Sequence, residues 1–130
     1  MWQVPYTHPD AQVLVEAVQQ EYVQRYGGPD ETPLAAADFE PPPGVFLLGA
    51  LDAAPVACGG IRRVDGDTAE IKRMYVAPAA RRRGLARAML ARLEAAARDA
   101  GYARLVLESG NAQPEALALY RSSGYDPVTP

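Results

Sequence analysis

Seven consecutive residues, Arg81-Arg82-Arg83-Gly84-Leu85-Ala86-Arg87, set four cations and two small residues where a strand-like pattern gives way to a helical one. The first N–H groups of a helix have no partner inside the helix. The helix dipole favours an anion at that end by roughly 0.3–1 kcal/mol. Gly84 and Ala86 keep the backbone bare enough for a phosphate to approach, and the arginines add charge-assisted hydrogen bonds. Binding of a pyrophosphate is the chemistry this pattern suits. It is neither a Walker loop nor a Gly-x-Gly-x-x-Gly dinucleotide fingerprint. Solvated arginines, or arginines touching nucleic-acid phosphates, are the other readings of the same seven residues.

Charge is distributed unevenly around this segment. Residues 1–55 hold eight acids (Asp10, Glu16, Glu21, Asp30, Glu31, Asp38, Glu40, Asp52) and one base, Arg25, whereas the rest of the chain holds eight acids and twelve bases. Seven of those bases lie between Lys72 and Arg92. Such a chain can hold an anionic ligand and a cationic one side by side. The balance of 48% apolar and 22% charged residues over 130 residues is that of one folded domain, residues 1–130. No apolar run is long enough to cross a bilayer and no signal-peptide pattern opens the chain, so the expected location is cytoplasmic. The single cysteine, Cys58, cannot form an internal disulfide, which agrees with a reducing compartment. With a pI near 5.1 and no aromatic residue among the clustered arginines, nucleic acid is not an expected partner.

The elements that must position the arginine segment follow from periodicity and turn signals. Trp2–Tyr6 reads as an edge strand, and Thr7-His8-Pro9-Asp10 as a capping box opening a helix that Gly27-Gly28 ends. Thr32-Pro33 starts a short helix through Phe39. Residues 45–51, 56–64 and 68–76 read as three strands joined by short turns, hence antiparallel hairpins. Gly84–Ala100 is a helix, Arg104–Glu108 a strand, Pro114–Ser123 a helix, and Tyr125 opens a last short strand. The crossover from Val76 to Leu105 is long enough to make two strands parallel. The expectation is an α/β fold with a mixed, mostly antiparallel central sheet and about four flanking helices.

With those elements in place, the chain resembles the GCN5-related N-acetyltransferase (GNAT) family. The family signature Arg/Gln-x-x-Gly-x-Gly/Ala is matched by Arg81-x-x-Gly84-x-Ala86, and Glu70–Val76 is similar to the strand that precedes it. Leu107–Asn111, Glu115–Tyr120 and Ser123-Gly124-Tyr125 resemble the family's second conserved block. The likeness runs from about Val45 to Tyr125. It implies acetyl-CoA as acyl donor, held by Arg81, Arg82, Arg83, Gly84, Leu85, Ala86 and Arg87, by the backbone of Met74 and Val76, and by Asn111. It implies Glu70 as general base, directly or through water, a backbone N–H near Met74 or Tyr75 for the oxyanion, and Tyr120 as proton donor to the departing thiolate. Tyr22, Tyr26 and Glu31, with Asp30 and Asp38, are candidates to line a pocket for a cationic amine, small molecule or peptide. The family usually carries a further strand after the Gly-Tyr corner, so a shortened C-terminal strand is expected, with a homodimer as one way to cover the edge.

The remaining reactive side chains read as structural. Cys58 lies in an apolar strand, His8 sits at a helix start, and no His/Cys cluster has metal-ligand spacing. The competing function is an acetyl-CoA-binding regulator without turnover.

Overall fold

Short turns between the apolar runs at 45–51, 54–63 and 68–76 make those three strands pair as successive hairpins. In the computed structural model, which describes residues 1–28, 34–107 and 119–125, this yields a five-stranded sheet in the order β1-β2-β3-β4-β5. From β1 (Trp2–Gln3) through β2 (Val45–Leu51) and β3 (Ala54–Arg63) to β4 (Thr68–Val76), neighbouring strands are antiparallel, and β5 (Arg104–Val106) joins β4 in parallel. The helix α2 (Leu85–Asp99) supplies the crossover that a parallel pair requires. The mixed, mostly antiparallel sheet anticipated above is present.

Alternation along the strands divides the core between two faces. On one face Val45, Leu47, Ala57, Ile61, Ala69 and Ile71 pack against Met89, Leu90, Leu93 and Ala97 of α2. On the other, Phe46, Leu48, Cys58 and Tyr75 pack against Leu14, Val15 and Val18 of α1 (Pro9–Tyr26). Each Val, Leu, Ile, Phe or Met among them contributes on the order of 1.5–3 kcal/mol when fully buried. Gly60 is required by close approach: a Cβ there would lie 2.6 Å from the Phe39 ring and 2.7 Å from that of Phe46.

Several local expectations are corrected. The cap of α1 is His8, not Thr7, since His8 Nδ1 accepts from the Asp10 N–H at 3.1 Å. Where a helix from Thr32 was expected, the described part is a single 3-10 helix, Ala36–Phe39, with the Asp38 carboxylate accepting from Ala35 N–H at 2.8 Å. β3 begins at Ala54, two residues early, because Asp52 (φ 49°) and Ala53 (φ 67°) make a two-residue hairpin turn. β5 stops at Val106. Of the last helix, residues 119–122 are described, and Tyr125 lies in no strand; its N–H instead closes the helix on Tyr120 O at 3.0 Å.

Candidate active site

Strand β4 is the spine of the site. Its parallel ladder with β5 ends, among the described residues, at Glu70–Val106, while β4 itself continues to Val76. Opposite β3, Gly60 pairs with Lys72 and Cys58 with Tyr75, so Gly59 faces both Arg73 and Met74. This is a β-bulge, with Arg73 at φ 58° in the left-handed region. The bulge changes which face each residue serves. Ala69 and Ile71 belong to the α2 face, which places Glu70 on the α1 face; after the bulge Met74 and Val76 pack on the α2 side and Tyr75 on the α1 side. Ala77 N–H donates to Val56 O at 2.7 Å, so the antiparallel alternation turns the N–H and C=O of Val76 away from β3. The same alternation turns Tyr75 N–H inward to Cys58. Of the two expected oxyanion donors, only Met74 remains eligible.

From Val76 the chain passes through a 3-10 turn, Pro78–Ala80, into the arginine segment. Arg82 (φ 67°) and Gly84 (φ 78°) are both left-handed, and Gly84 is the N-cap of α2 with no side chain to satisfy the first turn. A Cβ on Gly84 would meet nothing within 4 Å, so the helix start is open. Arg82, Arg83 and Arg87 are exposed around it; Arg87 donates to Ser122 Oγ at 3.0 Å and to Ser123 Oγ at 3.5 Å, bridging α2 to the closing helix. Arg81 turns the other way. Its Nε donates to Val76 O at 2.9 Å, its Nη2 meets Glu21 Oε2 of α1 at 2.5 Å, and its guanidinium lies 5.7 Å from the Tyr75 ring centre.

Tyr120 packs against the α2-face core and edge-on to Tyr125, with ring centres 6.1 Å apart. Burial, with a smaller contribution from the Tyr22 hydroxyl, pushes its pKa up to about 12. The expected acceptor-side Tyr22 is thus a neighbour of the expected acid. Tyr125 donates to Glu94 Oε2 at 3.0 Å, and burial followed by that carboxylate holds its hydroxyl protonated well above the usual tyrosine range.

Glu70 is 8% exposed, and its Oε1 accepts from Arg62 Nε at 3.0 Å and Nη2 at 2.9 Å across the β3–β4 ladder. Cys58 is inert: it is fully buried, its thiol donates to Arg73 O at 3.2 Å, and burial pushes its pKa to about 12. Among the described residues no group of His, Cys, Asp or Glu could hold a metal ion, and no helix is long and apolar enough to cross a membrane. Asn111 and Glu31 lie outside the described residues, and Tyr26 is described only in its backbone, as the last residue of α1.

A family model described as "Acetyltransferase (GNAT) family" matches residues 12–125. The chain belongs to the GNAT family. An IAA acetyltransferase of Azospirillum brasilense is 41% identical to this GNAT chain over 81 residues, which are 62% of the chain and 53% of that protein. A Klebsiella pneumoniae structure assigned to the acyl-CoA N-acyltransferases superposes with a TM-score of 0.79 at 28% identity, covering 96% of this chain and 81% of that one. An aminoglycoside N-acetyltransferase in complex with CoA superposes at 0.71 with 11% identity, over 99% of this chain and 92% of that one, a likeness of fold alone. The matched stretches span 53%, 37% and 56% of three relatives' own lengths.

Three features of this GNAT site were not read from the sequence. Arg62 carries no signal beyond its charge, because its pairing with Glu70 depends on the hairpin register. The bulge at Arg73 has no glycine to betray it. Glu21 is one of eight acids in the N-terminal part, and the excess of carboxylates there was the available hint that one would meet an arginine.

Proposed function

We propose that residues 1–130 act as one N-acetyltransferase domain, moving an acetyl group from acetyl-CoA to a primary amine of cationic character, small molecule or peptide, by direct attack in a ternary complex. One observation carries this reading: the outward-turned edge of β4 at Val76 runs within a few residues into the open, arginine-ringed start of α2. An amide-bearing arm adds to such an edge as a strand would, and its pyrophosphate meets the helix N-terminus.

Acetyl-CoA supplies an acyl thioester; the other tasks fall to this chain. The N–H groups of Leu85, Ala86 and Arg87, with Arg82 and Arg83, hold the pyrophosphate, and Gly84 leaves it room. Val76 O already accepts from Arg81, and its second lone pair is left for the arm. Met74 N–H stabilises charge developing on the thioester oxygen. Glu70, with Oε1 engaged by Arg62, takes the ammonium proton on Oε2, directly or through water. Tyr120, whose hydroxyl burial keeps protonated, gives a proton to the departing thiolate. Asn111 adds a hydrogen bond to the arm, and Tyr22, Tyr26 and Glu31 line the acceptor side.

The Arg62–Glu70 ion pair favours a second reading, an acetyl-CoA-binding regulator without turnover, since it gives this carboxylate a structural role across the hairpin. Glu70→Gln and Tyr120→Phe separate the two. Transfer predicts a fall in turnover with CoA affinity nearly intact; a silent binder shows no turnover to lose.

A further inference from the structure

We propose that Glu21 is a positioning residue for the cofactor: from α1, on the acceptor side of the sheet, it holds Arg81 and through Arg81 fixes the loop that receives the pyrophosphate. This rests on the reading of residues 81–87 as that loop.

Arg81 stands first in the signature, yet its guanidinium points back into the fold. Three different contacts hold it there: the Glu21 carboxylate at 2.5 Å, Val76 O at 2.9 Å, and the Tyr75 ring face at 5.7 Å. Two of these come from β4, a few residues before the loop. Of these three contacts Glu21 is the one distant in sequence, sixty positions away, and it ties Arg81 to another layer of the fold. The loop needs such a tie. Within four residues it holds two left-handed positions, Arg82 at φ 67° and Gly84 at φ 78°, and a non-glycine residue persists there when its surroundings over-determine it. Arg81, Arg82 and Gly84 are all exposed at the helix start, and of the three Arg81 is the one held by the side-chain contacts just named. Between buried Ala80 and the packed Leu85, the polar anchor of the segment is therefore Arg81, and Glu21 is what ties Arg81 to α1. The cations left facing an anion are Arg82, Arg83 and Arg87. The first signature residue thus acts on the phosphates through geometry, and the acceptor-side helix shares control of cofactor affinity.

The test is calorimetric titration of CoA into the full chain, wild type and the variants Glu21→Gln, Glu21→Asp, Arg81→Ala and Glu21→Gln/Arg81→Ala, each checked for a cooperative melt. Glu21→Gln is expected to weaken CoA about 3- to 6-fold, the range of a half-exposed ion pair, and to raise KM for acetyl-CoA by the same factor with kcat within about twofold. Glu21→Asp, which keeps the charge, restores most of the affinity. Arg81→Ala weakens CoA at least as much as Glu21→Gln, and the double variant binds no worse than Arg81→Ala, because one connection is lost in both. Unchanged affinity in Glu21→Gln, or losses that multiply in the double variant, would overturn the role of Glu21 while leaving the loop assignment standing. Wild-type chain that binds no CoA would instead overturn the loop assignment itself.

Discussion

Arg62 and Glu70 face each other across the β3–β4 hairpin, and Arg62 closes on Glu70 Oε1 with two nitrogens at 3.0 and 2.9 Å. The side chains are 25% and 10% exposed, so the pair is sheltered from solvent, though not dry. Hydrogen bonds to charged groups in such surroundings contribute about 1.5–3 kcal/mol. Glu70→Gln is expected to lower stability by about 1–2 kcal/mol, read from urea midpoints, beside any effect on rate. Its turnover must therefore be measured well below its melting temperature. There a lost general base appears as a fall of about 100-fold or more.

At Gly84 strain and charge are separable. Gly84→Ala places a methyl at φ 78° where it meets no protein atom, costing about 1–2 kcal/mol of backbone strain, and it takes up part of the room left for the pyrophosphate, so CoA affinity falls modestly. Gly84→Asp adds the same strain and a carboxylate at the anion site. Calorimetry should show CoA binding weakened by at least about 10-fold in that variant alone.

Tyr120 sets a stability change at alkaline pH. Its pKa is near 12 in the folded chain and near 10 when unfolded, so the folded state binds the proton more tightly. Stability from this group is complete below about pH 10 and is lost as pH rises toward 12. Between pH 8 and pH 11 the wild type should lose about 1 kcal/mol more than Tyr120→Phe, measured by urea denaturation at the two pH values.

Gly60 tests the packing beneath the site. A Cβ there meets the rings of Phe39 and Phe46 at 2.6 and 2.7 Å, and those rings are wedged edge-to-face, with Tyr6 stacked on Phe39 and edge-on to Phe46. Gly60→Ala is expected to destabilise by about 1–3 kcal/mol, seen as a lowered melting temperature.

What could be read from the sequence was what depends on local pattern. The hairpins, the crossover helix and the arginine-rich helix start follow from turn residues and periodicity, and the structure has all three. What could not be read depends on register. The bulge at Arg73 moves Glu70 and Met74 to opposite faces of one strand, although even spacing alone would put them on the same face. The inward turn of Arg81 depends on Glu21 arriving from another layer, and no short-range signal reports that. Thr7 and His8 both offered an acceptor near the start of α1, and only geometry could choose His8. The GNAT signature marked the right segment while leaving open which arginine faces outward.

The most direct test is a free-thiol release time course with wild-type chain, acetyl-CoA and a panel of amines running from polyamines through amino acids to peptides. Amine-dependent release is expected, fastest with the cationic amines and strongly reduced in Glu70→Gln. CoA binding by calorimetry with no release above background for any amine would contradict acetyl transfer and leave a cofactor-binding regulator in its place.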